Sequence, residues 1–67
     1  MTKEEYIERY RMMCNAYLRD GHWETKLSKH DQMREMEFVL AKVFKVSKTA
    51  IDTIYTDEYW KVNPPTQ

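Results

Sequence analysis

The side chains that metal or nucleophile chemistry would recruit are Cys14, His22, His30 and Asp31. Their spacing matches no zinc-binding pattern, in which ligands come in short, regular pairs. Cys14 falls on the apolar side of a helical repeat, where a thiol is a buried and inert filler. A Cys–His nucleophile lacks the glycine-rich turn that would form an oxyanion hole. With Gly21 the only glycine, no phosphate-binding loop can be built either. His30, near the start of a helix, is expected as a solvated residue, and His22 as a connector residue with a hydrogen bond. No catalytic centre, metal or cofactor is expected, and a chain of this kind works by binding.

What positions its residues must be small. A chain of 67 residues makes one domain with a thin core. One cysteine forms no internal disulfide and suits a reducing compartment. The opening Met-Thr-Lys-Glu-Glu carries charge where a secretion signal needs an apolar run. No apolar stretch approaches the roughly 20 residues that span a bilayer. The expectation is a cytoplasmic, membrane-free protein. Eleven basic and eleven acidic residues cancel, whereas nucleic-acid binders usually carry excess Lys and Arg. Contact with DNA would therefore need local clustering of bases or pairing of subunits.

The periodicity is helical throughout, predicting an all-α domain of three helices at about 2–20, 28–45 and 47–56. Thr2 and Glu5 have capping-box spacing, with Met1 placed to staple onto Tyr6. Tyr6, Ile7, Tyr10, Met13, Cys14, Tyr17 and Leu18 follow at spacings of three and four, and Asp20-Gly21 supplies the stop. Trp23 and Leu27 in the connector are expected to anchor on the core. Ser28 caps the second helix, whose stripe is Met33, Met36, Val39, Leu40, Val43 and Phe44, widened by Phe38 and Ala41. Ser47 caps the third, with Ala50, Ile51, Ile54 and Tyr55 on one face. Residues 56–62 read equally as a longer helix, a new turn or a flap carrying Tyr59 and Trp60. The domain is set at 1–62, and residues 63–67, with Pro64-Pro65, form a flexible tail. The expected core is Tyr10, Cys14, Tyr17, Leu18, Met36, Leu40, Val43, Phe44, Ile51 and Ile54.

The most informative segment runs from Leu40 to Ile54. Ala41 is small where two helices would cross, Val46 is apolar in a turn, and Ser47 caps the next helix, which returns Ile51 and Ile54 to the core. In these residues the segment resembles the helix-turn-helix unit of Cro/repressor-type DNA-binding proteins. The resemblance covers about residues 36–55 and implies that the helix after Ser47 enters the major groove. The DNA-binding residues it implies are Lys42, Lys45, Ser47, Lys48, Thr49 and Thr53. The family commonly has glycine, in a left-handed conformation, where Lys45 stands. Asp52, Asp57 and Glu58 would face phosphates unfavourably, partly answered by Lys42, Lys45 and Lys48.

The function so implied is a small helix-turn-helix transcriptional regulator, phage-like or encoded by a mobile element, acting on double-stranded DNA. The competing reading is a protein-binding inhibitor, anti-repressor or assembly factor that uses a helical surface without touching DNA; the zero net charge favours it. Five tyrosines, two tryptophans and five methionines would also suit a base-stacking platform, but Tyr6, Tyr10 and Tyr17 have core spacing. A homodimer is expected from the thin core, an exposed Met12 and the terminal aromatics Tyr59 and Trp60.

Overall fold

The computed structural model describes residues 1–20 and 27–65 and contains three helices among them: α1 (Lys3–Asp20), α2 (Leu27–Lys42) and α3 (Lys48–Val62). The expected stop at Gly21, the connector residue His22 and the anchor Trp23 lie outside the described residues. So do the side chains of Leu27 and Ser28, expected as an anchor and a cap; the helix itself begins at Leu27, ahead of that serine.

α1 opens with the expected reciprocal cap. The Thr2 amide donates to Glu5 Oε1 at 2.8 Å, and the Glu5 amide donates to Thr2 Oγ1 at 3.2 Å. Met1, expected as a staple onto Tyr6, is largely exposed, its sulfur 4.0 Å from the Arg9 guanidinium. Tyr6 packs against Phe44, ring centroids 5.2 Å apart.

α1 is the hub of the fold, lying against both α2 and α3, while those two touch each other much less. Tyr10, Cys14, Met33, Met36, Leu40, Ile51 and Ile54 form the buried core. Each helix contributes residues at spacings of three or four, so each presents one stripe. Tyr17 and Phe44, expected in the core, are half-buried against its margin, and Leu18, also expected there, is half-buried. The Tyr10 hydroxyl donates to Glu37 Oε2 at 2.8 Å, joining α1 to α2. Burial, and then this bond to a carboxylate, raise the Tyr10 pKa far above the ordinary phenol range. Burial likewise pushes the Cys14 thiol up to about 11, so it stays protonated at neutral pH, its sulfur 3.9 Å from that of Met33.

Val43 was expected inside and is exposed. The reason is where α2 stops. The helix ends at Lys42; the Val43 and Phe44 amides both donate to the Val39 carbonyl, at 2.8 and 3.3 Å, and the Val46 amide donates to Leu40 at 2.9 Å. These bonds satisfy carbonyls that a helix end would leave open. They turn the chain so that Phe44 and Val46 pack on the core and Val43 is left outside.

α3 runs past residue 56 to Val62, because no glycine or proline interrupts it before Pro64 and its inward stripe continues through Glu58. Tyr59 and Trp60 are helical and exposed, packed edge to face at 5.1 Å rather than forming a flap. No helix among the described residues is long and apolar enough to cross a membrane.

Candidate nucleic-acid interface

The residues implicated by sequence, Lys42, Lys45, Ser47, Lys48, Thr49 and Thr53, are brought together on the turn after α2 and the first turns of α3, and every one is exposed. Lys42 is the last residue of α2. Lys45 sits at the apex of the turn with φ 59°, the one left-handed non-glycine residue among those described. That conformation costs a side-chain-bearing residue roughly 1–2 kcal/mol. The turn thus has a left-handed backbone at a lysine, holding a base at the tip.

Ser47 is extended, with ψ 154°, and its hydroxyl oxygen accepts from the Ala50 amide at 3.1 Å. Accepting uses only a lone pair, so the hydroxyl proton is not consumed. The cap fixes where α3 begins, and therefore which residues face outward. Thr49 and Thr53, one turn apart, share a face, and the Thr53 hydroxyl donates to the Thr49 carbonyl at 2.9 Å. Lys48 Nζ lies 3.5 Å from Asp52 Oδ1, both side chains largely exposed. Such a pair stabilises a helix by only about 0.3–0.5 kcal/mol, so the fold does not depend on it. Its larger effect is electrostatic: the Asp52 charge is answered at its source.

Two sequence expectations are corrected here. Ala41 does not sit in a close helix crossing; it is exposed and lines an open cleft of about 300 Å³ between α2 and α3, with Arg34, Glu37, Phe38, Lys48, Ile51 and Asp52. Both helices lean on α1, so they splay beside Ala41, and fully buried Leu40 makes the packing contact instead. Glu58 was read as an acid facing outward. It is 3% exposed, and Oε2 accepts from Arg11 at 3.2 Å and from Lys61 at 3.0 Å. Its place in the stripe Ile51–Ile54–Glu58 was the available signal, masked by the expectation that a glutamate is solvated. The charge is thereby spent inside the fold and not displayed beside the lysines.

Among the described residues no three of His, Cys, Asp and Glu converge as metal ligands. His22 lies outside them. Comparison of the chain with protein-family models, curated proteins and solved structures finds no match.

Proposed function

We propose that this domain is a small DNA-binding transcriptional regulator of helix-turn-helix type, of the kind carried by phages and mobile elements and acting in the cytoplasm. One observation carries the reading. A left-handed turn at Lys45 leads into a helix capped by Ser47, whose inner residues Ile51 and Ile54 are buried while Lys48, Thr49, Asp52 and Thr53 all stand outside. An α-helix with side chains, about 10–12 Å across, fits the major groove. With α3 in that groove, Thr49, Thr53 and Lys48 address base edges. Lys42 and Lys45 neutralise phosphates, and the amides beside Ser47 favour a phosphate at the helix N-terminus. Three lysines on a charge-neutral chain bind weakly alone, so two subunits reading half-sites about 34–36 Å apart are the expected working form.

The test is selection of bound duplexes from a random pool at moderate salt with micromolar folded protein. An enriched sequence supports the proposal; an unenriched pool sinks it. One observation favours a second reading, a protein-binding inhibitor, anti-repressor or assembly factor. Phe38 is 61% exposed beside Ala41 in the α2–α3 cleft, where Arg34 and Lys48 face Glu37 and Asp52. A cleft that mixes an exposed aromatic ring with balanced charge suits a protein better than a phosphate backbone. Capture of a partner that survives nuclease treatment would favour that reading.

A further inference from the structure

The N-terminal half of α3 carries one feature that phosphate binding does not explain. Asp52 stands on the outward face among residues that would approach DNA, where a bare carboxylate is repelled. It is not there for the fold, since its side chain is 65% exposed and its partner Lys48 is 87% exposed. The two lie one helical turn apart, with Lys48 Nζ 3.5 Å from Asp52 Oδ1. The ammonium has three protons and the carboxylate two oxygens, so this loose contact uses only part of either group. Together they present a donor and an acceptor side by side.

The major-groove edge of a G·C pair presents the complementary arrangement: guanine N7 and O6 accept, and the neighbouring cytosine N4 amino group donates. Lys is a partner for the guanine edge, and Asp accepts from cytosine N4. Recognition-helix contacts to bases come from its N-terminal residues, which is where Lys48 and Asp52 stand. We propose that Lys48 and Asp52 act as one reading unit for a single G·C base pair, Lys48 donating to guanine and Asp52 accepting from cytosine. The assignment rests on the DNA-binding function proposed above and adds a specificity determinant to it. It also gives the acid a purpose: a carboxylate there rejects any base edge that offers only acceptors.

The experiment selects duplexes from a random pool with the wild-type chain, Asp52→Asn and Lys48→Ala, each checked for unchanged helix content by circular dichroism. The wild-type site should contain a G·C pair whose replacement weakens binding about ten- to a hundredfold. Asp52→Asn should move the preference at that pair alone towards adenine, whose N6 and N7 suit an amide. Lys48→Ala should weaken discrimination at that same pair. A role limited to helix stability or charge would instead change binding to every sequence alike. An enriched wild-type site whose preferences Asp52→Asn leaves unchanged, or changes equally at all positions, overturns the assignment while leaving the DNA reading in place. An unenriched wild-type pool overturns both.

Discussion

The two faces of α3 are built from opposite materials. Inward, Ile51 and Ile54 pack against α1, and Glu58 is clamped by two cations, one from each helix. Outward, Lys48 pairs with Asp52 and Thr53 bonds to Thr49, both within α3, and all four residues are exposed. The inner face holds the helix through long-range contacts. The outer face is exposed and its side-chain hydrogen bonds are local, so changing it should disturb the fold little. Because α1 carries most of the contacts between helices, the outer face of α3 is left without a large part in holding the fold. The comparison predicts that inner-face changes appear as stability and outer-face changes as selectivity.

The largest expected effect is at Leu40, which is fully buried and packs where the helices meet. Leu40→Ala should cost about 2–5 kcal/mol, enough to leave so small a domain largely unfolded at room temperature. Urea unfolding followed by circular dichroism measures it. A loss below about 1 kcal/mol would mean that the core lies elsewhere.

Glu58 comes next. Removing one partner of a fully buried pair costs more, but Arg11 and Lys61 are 34% and 63% exposed at their side chains and can rehydrate. Glu58→Ala should therefore lower stability by about 1–3 kcal/mol. Glu58→Gln, which keeps the shape and a hydrogen-bond acceptor, should lose less. If both variants matched the wild type, Glu58 would belong with the outer face, and the contrast between the faces would fail.

Lys45 lies between the two classes. Lys45→Gly relieves a left-handed backbone worth roughly 1–2 kcal/mol but adds freedom to the unfolded chain, offsetting about half of that. A net gain of about 0.5–1 kcal/mol is expected in the same urea titration. On the proposed DNA-binding reading, in which Lys45 neutralises a phosphate, affinity should fall alike for all sequences, with about one unit less salt dependence. Opposite signs for stability and binding at one residue would show that the turn holds a base there at the expense of stability.

The regular parts of this architecture were legible because local signals agreed with tertiary ones. The Thr2–Glu5 box and the Ser47 cap form as their spacing implies, and Leu40, Ile51 and Ile54 bury as periodicity requires. The misreadings arose where long-range packing decided. Val43 continues the stripe of α2 on paper, but hydrogen bonds to Val39 and Leu40 end the helix before it. Phe38 widens the same stripe and yet faces solvent, because α3 leans on α1 and leaves that side uncovered. Met33, on the stripe but left out of the expected core, is buried beside Cys14. Glu58 falls on the inward stripe by spacing and has Lys61 one turn away. The Arg11 partner on α1 that lets a carboxylate be buried there is a long-range contact that local spacing does not encode. The six candidate DNA-binding residues cluster because all lie within one turn and two helical turns of chain, a short-range matter.

The smallest expected change in stability is at Thr53, and it makes the sharpest test of the two-face comparison. Its hydroxyl donates to the Thr49 carbonyl at 2.9 Å, a bond that competes with the helix's own ladder and adds little. Alanine has the better helix propensity, by up to about 0.7 kcal/mol. Thr53→Ala should thus leave the midpoint of unfolding unchanged or slightly raised. Binding should respond differently. With its proton committed to Thr49, the Thr53 oxygen turns lone pairs outward, where they accept from an adenine or cytosine amino group, and the methyl suits a thymine methyl. Losing both should relax preference at one base pair by roughly 1 kcal/mol, leaving non-specific affinity intact. Thr49→Ala, one turn earlier, should act at a different base pair. A Thr53→Ala chain that lost more than about 1 kcal/mol of stability, beyond what an exposed site allows, would place Thr53 in the packing. One that kept every base preference of the wild type would remove it from the reading surface.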